Sequence, residues 1–141
     1  PPYVLVPHDH ALGQCEFVTR ADLSNEPLVL LDLPIINEYY RNLAGDAAQP
    51  ANIVATASTH EMVRSLVGAG VGCSILNMRP ATTVTYAGDE VLAIPLRGDA
   101  RALKLALGHM GGKPRRLVQA FMDATREYFA FTAANELTMP M

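Results

Sequence analysis

Short apolar runs alternate with segments of helical spacing along the first half of the chain. The runs predict strands, and the segments between them, where apolar side chains recur three and four residues apart, predict helices. The predicted strands are residues 3–6, 28–31, 52–55 and 73–76. The predicted helices are residues 36–43 and 62–67. Strands that alternate with helices predict an α/β domain with a mostly parallel sheet.

The second half of the chain has a different pattern. Residues 84–94 predict a hairpin around a turn at Gly88, and residues 103–108 predict a further strand. A last helix is predicted from Pro114, because proline is well tolerated at the first helical position. Its expected buried stripe is Leu117, Val118, Phe121, Met122, Thr125 and Phe129. Residues 132–141 have no clear periodicity and are expected to form a frayed tail.

Composition excludes several classes of protein. The chain has 141 residues, which fits one domain, and its 50% hydrophobic content excludes a disordered chain. No apolar run approaches the roughly 18 residues of a membrane span. Two cysteines are too few for a disulfide-rich scaffold. A net charge of −3 argues against a chain that grips nucleic acid by itself.

The most specific local signal is the segment 56–61. Ser58 with Glu61 three residues later fits a capping box, in which each side chain bonds the other residue's amide. Free amides at such a helix start favour an anion, and the segment follows a strand at the end where α/β folds bind ligands. The residues alone favour an ordinary helix cap over a binding site. His60 is expected to be a neutral surface residue, because the helix dipole disfavours a positive charge in the first turn.

Other candidate sites are weaker. His8 and His10 could form a metal-binding pair, but no further ligands with suitable spacing accompany them, so no metal site is predicted. Cys15 has no basic neighbour that would activate it, and Cys73 lies in a predicted buried strand. No acid–base pair or catalytic triad is visible, which argues against an enzyme.

The order of several segments resembles the effector-binding domain of LysR-type transcriptional regulators. The matching segments are residues 9–13, 21–23, 26–31 and 58–76. The last contains a polar helix start, a Val-x-x-Gly-x-Gly turn and an apolar strand. The resemblance extends from residue 3 to about residue 130. The family usually has Pro where Ala11 stands and Ala where Gly13 stands, and it often has Pro where Asn77 stands.

This resemblance implies a two-lobed fold like that of type 2 periplasmic binding proteins. Residues 7–94 would form the second regulatory lobe, and residues 1–6 and 95–131 would supply the crossing strands and a remnant of the first lobe. The implied protein is a cytoplasmic homo-oligomer that binds DNA only through a domain preceding this chain and needs no cofactor. A solute-binding protein of a transport system, which shares the fold, is the alternative.

The resemblance also implies an effector site between the lobes. Its expected residues are Thr56, Ser58, Thr59 and His60 at the helix start, with Leu33, Pro34 and Ile35 in a facing loop. Hydroxyls and free amides suit an anionic group, and the loop residues suit an apolar body. The expected ligand is therefore a small organic acid.

Overall fold

The strand β1 (Tyr3–Pro7) is an inner strand of the largest sheet in the described part of the chain, and the side chains of its first four residues are buried. The computed structural model describes residues 1–45, 50–98, 103 and 106–131. The other strands in these ranges are β2 (Val18–Thr19), β3 (Leu28–Leu31), β4 (Ile53–Ala57), β5 (Ser74–Leu76) and β6 (Val91–Arg97). The helices are α1 (Asn37–Ala44), α2 (His60–Gly68) and α3 (Arg116–Phe131), with 3-10 turns at Ala11–Gln14 and Ala21–Leu23.

The strands form a mixed arrangement. In the described part of the chain, one sheet has the order β2-β6-β1-β5, in which β1 is antiparallel to both of its neighbours. A parallel pair, β3-β4, is joined to this sheet by a parallel bridge between Leu28 and Cys73. The predicted α/β class is confirmed, but parallel pairing is less dominant than expected. The alternation of strands and helices predicts the relative direction of two strands joined by a helix, such as β3 and β4. It does not predict the direction of β1 relative to β6, because these strands are distant in sequence.

A buried arginine ties α2 to the segment that follows β5. Arg64 is only 2% exposed, and its guanidinium donates to the carbonyls of Thr82 (2.8 Å) and Val84 (3.1 Å). The Glu61 carboxylate lies 3.5 Å from the same guanidinium and accepts from the Tyr86 amide at 2.6 Å. These contacts satisfy much of a charge that is costly to bury, and they fix residues 82–86 against α2.

The last helix forms as predicted, but its predicted burial is wrong. Leu117 is 84% exposed and Phe121 62% exposed, and Val118 and Phe129 are also exposed. Helical spacing identifies which face is apolar, but it does not identify what covers that face. In the predicted strand 103–108, residues 106–108 have no regular structure and residues 104–105 lie outside the described residues, as does the predicted tail. No helix in the described ranges is long and apolar enough to cross a membrane.

The junction of β3 and β5 generates a first prediction. A Cβ added at Gly72 would lie 2.3 Å from the Pro27 carbonyl oxygen, so Gly72→Ala forces the two segments apart. We expect a loss of roughly 1–3 kcal/mol in the free energy of unfolding, measured by urea denaturation. Gly108→Ala is the control, because no atom of the described residues lies within 4 Å of its added Cβ. Equal urea midpoints for the two variants would contradict the close packing at Gly72.

Candidate functional site

Two segments expected to bind a ligand meet at one end of the β3-β4 pair. Leu30 lies opposite Thr56 and Leu31 opposite Ala57, and the Asp32 amide extends the pairing by donating to the Ala57 carbonyl at 2.8 Å. Because the two strands are parallel, the turn after β3 and the segment leading into α2 leave the same edge. The structure therefore brings residues 32–35 next to residues 56–60.

The turn after β3 is held by hydrogen bonds of its own. The Asn37 amide donates to the Leu33 carbonyl at 2.9 Å, and the Asn37 side chain bonds the Asp32 carboxylate. Arg41 in turn donates from Nε to the Asn37 side-chain oxygen at 2.6 Å. Leu33 is half-buried, packing against the core, and Pro34 is exposed. The turn thus holds an exposed apolar side chain, Ile35, which is 95% accessible.

The cap of α2 is Thr59, and the predicted capping box of Ser58 and Glu61 is wrong. Thr59 has extended backbone angles, and its hydroxyl accepts from the Met62 amide at 3.2 Å. The Glu61 carboxylate is bonded instead to the Tyr86 amide. The helix starts one residue later than the pattern suggested, so Ser58 is left exposed and is not the cap.

The start of α2 has hydrogen-bond donors that lack an acceptor within the helix. The amides of His60 and Glu61 precede the first i→i−4 bond, so they have no acceptor within the helix. Thr56 and Ser58 are exposed and share one face, because side chains alternate along an extended segment. Hydroxyls beside amides at the positive end of a helix dipole suit a carboxylate or another anion.

His60 is partly buried and is not the surface residue that was expected. Its Nε2 atom is buried and has no hydrogen-bond partner among the residues that the structure describes. Burial lowers the pKa of His60, because desolvation disfavours the charged imidazolium. A neutral ring agrees with the prediction, but the cause is burial rather than the helix dipole.

A second group of polar side chains lies elsewhere, and sequence spacing did not reveal it. His8 and His10 do not face a common site: His8 Nε2 lies 3.7 Å from the Glu90 carboxylate, whereas His10 Nε2 lies 3.4 Å from that of Glu26. Cys73 Sγ approaches the same His10 nitrogen at 3.7 Å. Burial, and then the nearby Glu26 carboxylate, raise the pKa of Cys73 to about 11, so its thiol is protonated near neutral pH.

Known proteins share this architecture. The family model of the LysR substrate binding domain matches residues 1–130. HinK, a LysR family transcriptional regulator from Pseudomonas aeruginosa, is 28% identical with a TM-score of 0.74, and the match covers 89% of this chain and 44% of HinK. The C-terminal domain of a probable LysR family regulator from Rhodococcus sp. RHA1 is 26% identical with a TM-score of 0.75, covering 89% of this chain and 62% of that domain.

A more distant structure shares the fold alone. The effector binding domain of QuiR, solved in complex with shikimate, is 15% identical with a TM-score of 0.62, covering 90% of this chain and 60% of that one. No curated protein matches the chain. The chain spans less than two thirds of the length of the solved regulators HinK and the Rhodococcus domain.

Replacing each of the adjacent residues Ser58 and Thr59 with alanine distinguishes their roles. Thr59→Ala removes the acceptor of the Met62 amide, and we expect it to lower the free energy of unfolding by about 1 kcal/mol. Ser58→Ala is the matched control and should change stability by less than about 0.5 kcal/mol, because the side chain is exposed. Urea denaturation measures both. A larger loss for Ser58→Ala than for Thr59→Ala would restore Ser58 as the cap.

The buried imidazole predicts a pH effect on stability. Because the pKa of His60 is lower in the folded protein than the unfolded value of about 6.5, the unfolded state binds the proton more readily. The stability contributed by the neutral ring is present above about pH 6.5 and is lost as the pH falls toward the folded-state pKa. The range from pH 7 to pH 5 includes the unfolded-state histidine pKa of about 6.5. Over this range we expect the melting temperature to fall less in His60→Gln than in the wild type. His109→Gln, at an exposed histidine, is the control, and identical slopes for wild type and His60→Gln would contradict the prediction.

Proposed function

The chain belongs to the family of LysR substrate-binding domains, and from this premise we propose that it senses a small molecule for a DNA-binding transcriptional regulator. The observation that carries the proposal is the meeting of the turn 32–35 with the segment 56–60 at one edge of the β3-β4 pair. That edge combines apolar side chains with hydrogen-bond donors. Small-molecule sites are built from this combination.

The effector that fits this edge is a small organic acid. Its carboxylate would accept from the amides of His60 and Glu61 and from the hydroxyls of Thr56 and Ser58, all at the positive end of the α2 dipole. Its apolar body would lie against Leu33, Pro34 and Ile35, with Thr59 next to the carboxylate as the helix cap. The partial burial of His60 supports a neutral ring as a further wall of the site.

Effector control requires two arrangements of the protein with different affinities for the acid. We propose that residues 7–94 form one regulatory lobe and that the flanking residues 1–6 and 95–131 belong to the crossing strands and to the other lobe. The antiparallel pairing of β1 with β6 supports this division, because both segments that would join the lobes then lie side by side. An acid that binds one lobe arrangement more tightly shifts the equilibrium toward it.

The rest of the proposal concerns the whole regulator. A DNA-binding domain outside this chain would contact the promoter, and the regulator would act as a cytoplasmic homo-oligomer. The formal net charge of −3 supports DNA binding by another part of the protein. We propose sensing and not catalysis, in keeping with the regulators that this chain resembles.

The proposal is tested by titrating the protein calorimetrically with a panel of small aromatic and aliphatic carboxylic acids. For any acid that binds, we expect Thr56→Val and Ser58→Ala each to weaken binding by about tenfold or more, because each removes a hydrogen bond to a charged group. Ser58→Ala is a clean variant, since Thr59 and not Ser58 caps α2. Ser24→Ala is the control, because its hydroxyl bonds the Ala21 carbonyl in a 3-10 turn outside the site.

Two results would overturn the assignment of this site. One is unchanged affinity in both Thr56→Val and Ser58→Ala for an acid that binds the wild type. The other is an equal loss in Ser24→Ala, which would point to a general effect on folding. Circular dichroism of each variant confirms that the fold is retained.

A further inference from the structure

Three side chains that can bind a metal come together at the start of β3. They are His10 from the loop after β1, Glu26 from the segment before β3 and Cys73 from the residue before β5. His10 Nε2 lies 3.4 Å from a Glu26 carboxylate oxygen and 3.7 Å from Cys73 Sγ, and the three ligand atoms lie within 4.8 Å of one another. Atoms bound to one metal ion at 2.0–2.3 Å in tetrahedral geometry are about 3.3–3.8 Å apart, a range that includes both His10 distances.

The backbone holds Cys73 and Glu26 close together. The Cys73 amide donates to the Pro27 carbonyl and the Cys73 carbonyl accepts from the Val29 amide, each at 2.8 Å. Gly72 allows this approach, because any side chain there would collide with Pro27. Cys73 thus lies beside the residue that follows Glu26, and its position is set by two strands rather than by a flexible loop.

The His10 ring is fixed by its own turn. The His10 amide donates to the Pro7 carbonyl at 3.1 Å, and its carbonyl accepts from the Gly13 amide at 2.9 Å. In the metal-free protein its Nδ1 accepts from the Leu12 amide at 3.2 Å, and Nε2 faces Glu26 and Cys73. All three ligands are therefore presented by ordered backbone, which lowers the entropy cost of bringing them together.

We propose that His10, Glu26 and Cys73 form a binding site for a divalent transition metal ion of the zinc type. A thiolate with an imidazole favours Zn²⁺ or Co²⁺ over Mg²⁺ and Ca²⁺, which prefer oxygen ligands. Cys73 is buried, whereas the side chains of His10 and Glu26 are 23% and 29% exposed. The ion would lie with the thiolate beneath it and an open side toward solvent, where a water molecule completes four-coordination.

Binding exchanges one set of bonds for another. The metal–sulfur bond forms as the S–H bond of Cys73 breaks, and the proton passes to solvent. A neutral imidazole that binds through Nε2 carries its proton on Nδ1, so the bond from the Leu12 amide to Nδ1 is lost. Binding also replaces the contact of His10 Nε2 with the Glu26 carboxylate and removes the proton of a buried thiol. The bonds of the thiolate, imidazole and carboxylate to Zn²⁺ offset these losses.

This site is separate from the proposed effector site. Glu26 precedes β3, whereas the turn 32–35 follows it, so the two sites lie at opposite ends of the same strand. A metal ion here would join three segments of the fold, namely the loop after β1 and the starts of β3 and β5. Its consequence would be greater stability of the folded chain, whether or not an organic acid binds.

The test uses Co²⁺ and Zn²⁺ as probes of the reduced protein. We expect Co²⁺ to produce a near-ultraviolet thiolate-to-cobalt charge-transfer band that saturates at about one equivalent and is removed by Zn²⁺. Cys73→Ser should abolish the band, and Glu26→Gln and His10→Gln should each weaken Co²⁺ binding at least tenfold. Cys15→Ser and His8→Gln are the matched controls, because these residues lie outside the cluster, and both should retain the band.

A thermal measurement provides a second readout. Zn²⁺ should raise the melting temperature of the wild type and of Cys15→Ser, because it binds the folded state, and should leave that of Glu26→Gln nearly unchanged. If Cys73→Ser fails to fold, Glu26→Gln and His10→Gln decide the question, since both side chains are partly exposed. The absence of a charge-transfer band in the wild type, its loss in Cys15→Ser, or full Co²⁺ affinity in both Glu26→Gln and His10→Gln would overturn the proposal.

Discussion

The close approach of Gly72 to Pro27 is the constraint on which the rest of the structure depends. It lets β5 join the start of β3 through two hydrogen bonds of 2.8 Å, and so connects the parallel β3-β4 pair to the sheet around β1. Among the described strands, this junction supplies the backbone hydrogen bonds that link the two sets. The start of β3 is thereby held on both sides, by Cys73 and by β4, and the turn 32–35 follows directly from β3.

The position of the candidate site could be predicted from the sequence, but the roles of its individual residues could not. Alternating strands and helices predicted that β3 and β4 are parallel, and parallel strands bring the residues after Leu31 next to those after Ala57. The rules could not decide which residue caps α2, because Ser58 and Thr59 are both good caps. A tertiary contact decided the role of Glu61, since its carboxylate bonds the amide of Tyr86, 25 residues along the chain.

The features that were predicted incorrectly or missed all depend on distant residues. The apolar spacing of α3 was visible in the sequence, but the exposure of Leu117 and Phe121 depends on what packs against them. The mixed sheet arises because β1 pairs with β6, more than eighty residues later. His10, Glu26 and Cys73 have no diagnostic spacing, and only the tertiary structure reveals that their side chains meet.

The two proposed sites, at opposite ends of β3, would take ligands of opposite charge. The amides and hydroxyls of residues 56–61, which lie beside the end of β3, would attract an anion, whereas the thiol, imidazole and carboxylate near its start would suit a cation. A ligand changes a conformational equilibrium only by its different affinity for the two states. The proposed metal ligands all lie within residues 7–94, so an ion would stabilise that unit without favouring either lobe arrangement. The effector residues proposed in this chain also lie within residues 7–94, so an acid bound there would shift the lobe arrangement only through additional contacts with the other lobe.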